Sequence, residues 1–315
     1  MKEPLIILTG PTAVGKTKAS IALAKAVNGE IISADSIQVY KYMDIGSAKI
    51  TKEEMQGVKH YLIDEIEPDE EFNVTVFQRL AKKYINEIRA KGKVPIIVGG
   101  TGFYIQSVLY DINFTEHEGD TSYRDELYKL SAEKGAEYIH AMLRAVDPEY
   151  AATVHANNQK RVIRALEYFH ETGQKMSAHN EEQRENESPY NFAYFVLNDD
   201  RKHLYDRIEL RIDQMLDEGL VEEVKSLLDK GYNRELVSMQ GLGYKEIAAY
   251  LEGEMTLDEA VYILKRDTRH FAKRQLTWFN REKEVIFLNK QDFNYDEDCI
   301  LNEMLKILKE KEIVQ

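Results

Sequence analysis

Gly10-Pro11-Thr12-Ala13-Val14-Gly15-Lys16-Thr17 is the stretch on which the reading of this chain turns. It fits the pattern G-x-x-x-x-G-K-[ST] at every required position. Leu5-Ile6-Ile7-Leu8 just before it reads as a buried strand. Lys18 to Val27 just after it repeats apolar residues (Ala19, Ala22, Leu23, Ala26) at helical spacing. Strand, glycine loop, helix is the setting that gives the pattern its meaning. Gly10 and Gly15 let the backbone curl until its N–H groups converge on phosphate oxygens, and the helix start adds its positive end. Lys16 supplies a point charge, and the Thr17 hydroxyl is a ligand for Mg²⁺. The stretch predicts a polyphosphate cradle of Gly10, Pro11, Thr12, Ala13, Val14, Gly15, Lys16 and Thr17 on an α/β sheet. It leaves open whether the polyphosphate is a nucleotide.

The bulk of the chain is compatible with that core. Its 315 residues are 43% hydrophobic and 31% charged, which suits one large or two smaller globular domains. No apolar run approaches membrane-spanning length and no signal peptide is visible, so a cytoplasmic protein is expected. A monomer is expected as well. A single cysteine, Cys299, excludes a disulfide framework or a cysteine-rich zinc site, and reads as apolar filler in a C-terminal helix. The net charge of −13, from 42 basic and 55 acidic residues, argues against indiscriminate nucleic-acid binding but not against a local basic groove.

Outward from the loop, Glu30 to Ala34 is a second strand that runs into Asp35-Ser36-Ile37-Gln38-Val39-Tyr40. Ligands of open α/β sheets sit beyond the carboxyl ends of the strands, so Asp35 shares the rim with the phosphate loop. A carboxylate there either serves metal or chemistry, or caps a turn. Met43 to Lys49 is a loop of small residues. His60 to Asp64 reads as a strand, with Asp64 a solvated end or a metal ligand. Val74 to Arg89 is an amphipathic helix with Val76, Leu80, Tyr84, Ile85 and Ile88 on one face. Val94 to Val98 is a further strand, with Pro95 a mild conflict for a central position. It ends in Gly99-Gly100-Thr101, where a loop-type ATPase often carries an acid.

From 115 to 188 no strand is evident. Arg124 to Lys134, Ala136 to Val146 and Gln159 to Glu171 read as helices, and Asn180 to Ser188 as a polar connector. We read residues 115–189 as a helical insertion into a P-loop-type parallel sheet core flanked by helices, built from 1–114 and 190–315. Lys160, Arg161 and Arg164 open a helix where the macrodipole disfavours cations, which suggests a phosphate partner against the plainer reading of a solvated helix end. In the second half, Phe192 to Leu197 is a strand, and Arg207 and Arg211 share one face of a helix over Leu204 to Leu216. The helix over Asp258 to Arg281 shows an apolar stripe of Val261, Leu264, Phe271 and Trp278. From Lys265 to Lys283 it holds seven basic residues against two acidic ones, Lys273 and Arg274 among them. That is a basic surface in an acidic protein.

A polyphosphate cradle, a rim aspartate and basic helices beside a helical insertion narrow the chemistry to two classes. One is a P-loop small-molecule or nucleotide kinase. The other is a group transferase acting on a nucleic acid. Six ordered stretches favour the second: the loop itself, Asp35 to Tyr40, Met43 to Lys49, Val98-Gly99-Gly100-Thr101-Gly102-Phe103-Tyr104, Asn158 to Glu167, and Ala272-Lys273-Arg274-Gln275-Leu276-Thr277-Trp278-Phe279. Together they closely resemble the bacterial tRNA dimethylallyltransferases, or isopentenyl-tRNA transferases, over nearly the whole chain.

The resemblance implies transfer of a dimethylallyl group from dimethylallyl diphosphate to N6 of the adenosine 3′ to the anticodon, in tRNAs reading codons that begin with U. It makes the cradle a diphosphate site. It implies Asp35 as general base, Thr12 on the leaving oxygen, Lys16 and Arg211 on the departing charge, and Mg²⁺ at Thr17. It further implies tRNA contacts at Asp35, Ser36, Ile37, Gln38, Thr101, Arg124, Gln159, Lys160, Arg161, Val162 and Ile163, to which the basic helix adds Lys273 and Arg274.

Overall fold

Uninterrupted apolar runs, without the alternation of a half-wetted strand, require a sheet covered on both faces. The computed structural model, which describes residues 2–114 and 122–314, has such a sheet. Its strands are β1 Glu3–Thr9, β2 Gly29–Ala34, β3 His60–Tyr61, β4 Val94–Gly99, β5 Tyr190–Asn198 and β6 Val285–Asn289. They lie in the order β3-β2-β4-β1-β5-β6, parallel throughout. Leu5 to Leu8 of β1 are fully buried at its centre, where Ile6 faces Ile96 of β4 and Ala193 of β5. The order of strands reverses about β1, and the loop after β1 therefore opens where such sheets bind ligands. Pro95 is tolerated in a central strand because the ladder with β1 begins only at Ile96.

Two compact units divide the chain, 1–109 with 189–315, and 110–188. The seam expected at 115 lies outside the described residues. The second unit packs helices Ser122–Lys134, Ala136–Val146, Pro148–Thr153, Gln159–Thr172 and Met176–Glu185 around Leu127, Ile139, Leu143 and Leu166. The expected polar connector over Asn180 to Ser188 is, to Glu185, the end of that last helix. Its sequence is too polar to announce itself, because the start is organised from elsewhere: Asp147 accepts from Ser177 N at 2.9 Å and from Ser177 Oγ at 2.7 Å.

Other expectations shift in detail. The strand over His60 to Asp64 stops at Tyr61, since Leu62 (φ 61°) and Asp64 (φ 54°) turn the backbone out of the ladder. Asp64 instead accepts from Lys49 Nζ at 2.5 Å. In the helix Val74–Ala90 the buried line is Phe77, Ala81, Ile85 and Ile88, with Val76, Leu80 and Tyr84 flanking it. In the helix Leu257–Phe279 it is Ala260, Leu264, Ala272, Gln275 and Phe279, one residue round from the expected stripe. Cys299 is exposed in the first turn of the helix Glu297–Glu310, not filler.

Candidate active site

The phosphate loop follows β1 directly, and Lys16 starts the helix Lys16–Ala26. Its two glycines are required for different reasons. Gly10 (φ 147°) passes so close to β5 that a Cβ would stand 2.3 Å from the Leu197 carbonyl oxygen. Gly15 (φ 101°) is left-handed at the helix N-cap. Lys16 Nζ curls over the loop and donates to the Gly10 and Pro11 carbonyls at 3.0 and 2.8 Å. Burial, then Arg211, pull the Lys16 ammonium down to about 8, against the opposing pull of Asp35.

The loop is held from outside by residues far along the chain. Arg207 Nε donates to the Ala13 carbonyl at 2.8 Å, and Lys290 Nζ reaches the Val14 carbonyl at 3.5 Å. Because a peptide unit is planar, a carbonyl fixed outward turns the next N–H inward. Gln275, 6% exposed, makes the firmest tie: its Oε1 accepts from Thr12 N at 2.9 Å and its Nε2 donates to Gly100 O at 3.0 Å. It clamps the phosphate loop to the turn after β4. Arg211 Nη1 stands 3.5 Å from Thr12 Oγ1, and burial lowers its guanidinium from the ordinary arginine range while Asp35 opposes.

Across the rim, Asp35 Oδ1 accepts from Ile37 N at 2.9 Å and Gln38 N at 3.3 Å. This fixes the carboxylate and leaves Oδ2 for another partner. A Cβ on Gly99 would stand 2.2 Å from the Ala34 carbonyl oxygen, so the end of β4 has no room for the acid a loop-type ATPase places there.

These groups line one cavity of about 460 Å³. Lys16, Arg207 and Arg211 make its cationic side, beside the neutral hydroxyls of Thr12 and Thr17. Asp35 and Gln38 stand on the rim, and Ile31, Ala48, Ile50 and Ile63 are apolar. Among the described residues no three His, Cys, Asp or Glu side chains gather to hold a metal ion. Thr17, exposed at the mouth, offers one hydroxyl. Mg²⁺ keeps several waters and takes phosphate oxygens beside few protein ligands, so this donor set fits it once a diphosphate is bound.

The remaining expected positions fall differently. Thr101 starts the turn into the helix Gly102–Leu109, its N–H donating to Ala34 O at 3.2 Å. Ser36 and Ile37 belong to the Asp35 turn and are half-buried. In the helical unit Lys160 and Arg161 are exposed and Gln159 half-buried, but Val162 and Ile163 are each 1% exposed in its core, which closes direct side-chain contact to them. Arg124 and Arg164 both bind the buried Glu167, at 2.9 Å each, so that the basic start of this helix is partly internally neutralised. In the basic helix Lys265 pairs with Asp213 at 2.6 Å, Arg266 with Asp267 at 2.8 Å and Arg269 with Glu209. Lys273 and Arg274 are exposed. Sequence reasoning missed Gln275, Arg207 and Lys290 as loop holders. The signal for Gln275 was an amide on the buried line of an amphipathic helix.

Residues 38–282 match the family described as IPP transferase. The chain is 67% identical over 313 residues to a tRNA dimethylallyltransferase of Lachnoclostridium phytofermentans, covering 99% of this chain and all of the relative. It is 53% identical over 300 residues to one of Acetivibrio thermocellus, covering 95% and 96%. Among solved structures it is similar to the full-length tRNA isopentenylpyrophosphate transferase of Bacillus halodurans, with a TM-score of 0.74 and 46% identity over 99% of this chain and 98% of that one. It is also similar to a eukaryotic dimethylallyltransferase acting on tRNA, with a TM-score of 0.78 and 29% identity over 91% and 74%.

Proposed function

The chain belongs to the IPP transferase family, and from that premise we propose that it transfers a dimethylallyl group from dimethylallyl diphosphate to tRNA. The acceptor is N6 of the adenosine 3′ to the anticodon, in tRNAs reading codons that begin with U. The observation that carries this reading is the meeting of Lys16, Arg211 and Thr12 with Asp35 around one cavity. A kinase reading has no acid at the end of β4 to support it.

The chemistry follows from charge. As the allylic carbon–oxygen bond breaks, negative charge grows on the diphosphate, and stabilising it lowers the barrier. Lys16, released from the Gly10 and Pro11 carbonyls, and Arg211 meet that charge. The inward amides of the loop add neutral donors, and the Thr12 hydroxyl donates to the bridging oxygen. Mg²⁺, held by Thr17 and the diphosphate itself, would supply further charge neutralisation. The adenine leaves its stack to reach the rim. Asp35 Oδ2 accepts a hydrogen bond from the N6 amine, orients it, and takes the proton as the new carbon–nitrogen bond forms. Lys160, Arg161, Lys273 and Arg274 hold tRNA phosphates, with the helical unit serving as a tRNA-contacting domain.

Among the described residues no helix is long and apolar enough to cross a membrane. We place the enzyme in the cytoplasm as a monomer. The test is mass spectrometry of nucleosides from an anticodon stem-loop incubated with the protein, dimethylallyl diphosphate and Mg²⁺. The expected result is a five-carbon addition on the adenosine 3′ to the anticodon. Consumption of ATP without tRNA, and no such nucleoside, would overturn the reading.

A further inference from the structure

The loop Met43–Lys49 walls the cavity through Ser47 and Ala48. It is closed on itself by Ser47 Oγ, which donates to Met43 O at 2.6 Å, and by Lys49 Nζ, which donates to Asp44 Oδ1 at 2.6 Å, and its first half is also held from outside. Three consecutive backbone amides, of Asp44, Ile45 and Gly46, donate to the Glu223 carboxylate at 2.9, 2.7 and 3.0 Å. Glu223 belongs to the helix Leu220–Asp229, nearly 180 residues further along the chain. The fully buried Tyr244 donates its hydroxyl to the same carboxylate at 2.8 Å. Its ring lies against Gly46 so closely that a Cβ there would stand 2.6 Å from Cζ. A carboxylate that accepts several N–H bonds is a strong, directional anchor.

The grip is passed on. Gln38 Nε2 donates to the Ser47 and Ala48 carbonyls at 3.2 and 3.3 Å, while Gln38 N donates to Asp35 Oδ1. Through the short backbone from Gly46 to Ala48, these hydrogen bonds join Glu223 to the wall of the cavity and to the rim carboxylate. The wall stands opposite the phosphate loop. Ile31 of β2 is the register partner of His60 of β3, two and three strands away from β1. At ~4.8 Å per strand that is ~10–14 Å, on the apolar side where Ile31, Ala48, Ile50 and Ile63 lie.

We propose that Glu223, seated on Tyr244, is a positioning residue that sets the far wall of the isoprenoid chamber and so limits the length of chain it accepts. This rests on the transferase reading above. With Glu223 in place, Ala48 stands where the end of a five-carbon chain arrives and a ten-carbon chain collides. Without it, three amides lose their acceptor, the loop relaxes outward, and Gln38 no longer holds Asp35 at a fixed angle.

The test compares wild type with Glu223→Ala, Glu223→Gln and Tyr244→Phe. Initial rates are measured on an anticodon stem-loop with dimethylallyl diphosphate and with geranyl diphosphate, alongside hydrogen–deuterium exchange over residues 43–50. The expected result for Glu223→Ala is faster exchange at Asp44 to Gly46 and a KM for dimethylallyl diphosphate raised about tenfold. The preference for five over ten carbons should fall about tenfold, less than the ~10²-fold that a misplacement of a full ångström can cost. Glu223→Gln, which keeps an acceptor oxygen, should fall between the two. Should Glu223→Ala fail to fold, Glu223→Gln and Tyr244→Phe carry the same comparison. An unchanged chain-length preference despite faster exchange makes Glu223 a structural anchor only and overturns the proposal, as does unchanged exchange. A wild-type protein that transfers no dimethylallyl group overturns the reaction itself, a result visible before any variant is made.

Discussion

Replacing Gln275 with leucine separates the two rims of the site while leaving Asp35, Thr12, Lys16 and Arg211 in place. The change removes the acceptor of Thr12 N and the donor to Gly100 O, bonds of 2.9 and 3.0 Å made by a side chain 6% exposed. A buried polar group left without a partner costs about 1–3 kcal/mol. Thr12 and Gly100 both border the cavity, where water can partly replace the amide, so the pair together should cost ~1–3 kcal/mol. At ~2–4 °C per kcal/mol for a domain of about 150–250 residues, the melting temperature should fall by roughly 2–12 °C. Gln275→Glu separates the local effect from the packing effect. It keeps the bond from Thr12 N but turns an oxygen towards Gly100 O and adds a negative charge beside the cradle. At ~6 Å and an effective dielectric of ~20, each unit of charge on a bound diphosphate would be disfavoured by ~3 kcal/mol, or about a hundredfold in affinity. Differential scanning fluorimetry reads the first quantity, and calorimetry with a non-reactive diphosphate analogue reads the second. Wild-type melting in the leucine variant together with wild-type affinity in the glutamate variant would refute the clamp.

Three further outcomes are expected. Asp35→Ala should lower the transfer rate by ~10²–10⁴-fold, the usual loss of a general base, with tRNA affinity nearly unchanged; near-normal single-turnover rates would remove Asp35 from the chemistry. Affinity for a diphosphate analogue should be full below pH 8 and decline above it, because the Lys16 ammonium, lowered to about 8, must be charged to hold an anion. Titrations at pH 8.5 in buffers of different ionisation enthalpy should accordingly register proton uptake, and none should be seen in Lys16→Ala. Replacing both Lys273 and Arg274 with Gln should flatten the salt dependence of tRNA binding by about one to two units of log–log slope. The pair Lys265→Gln and Arg269→Gln, already spent on Asp213 and Glu209, should leave it alone, and a slope that responds the other way round would place the tRNA on the opposite face of the helix.

The cradle and the central strands are legible in the sequence because their signals are local. Two glycines, a lysine and an unbroken apolar run each state their own requirement. What escapes is set by distant partners. His60 to Asp64 looks like a strand until Lys49 claims Asp64 and the backbone turns left-handed at Leu62. The helix Met176–Glu185 has no apolar stripe to declare it and is started by Asp147, some thirty residues away. Arg124 and Arg164 look like phosphate ligands because the carboxylate that neutralises them, Glu167, reads as one more acid on an amphipathic helix. Gln275 was within reach: at the spacing of Leu264, Ala272 and Phe279, an amide on the buried line has to be bonded to something.

The holders of the phosphate loop also have a history in time. Ala13 waits 194 residues for Arg207, Thr12 waits 263 for Gln275, and Val14 waits 276 for Lys290. At a synthesis rate of ~5–20 residues per second, the loop leaves the ribosome ~13–50 seconds before its clamp exists. β1, at the centre of the sheet, spends about two thirds of that interval with nothing of β5 on one edge, and about the first third without β4 on the other as well. A chaperone that shields apolar strand edges would find its target there, and a chain interrupted by a stop codon between Thr17 and Arg207 would carry a complete signature motif and an unheld loop.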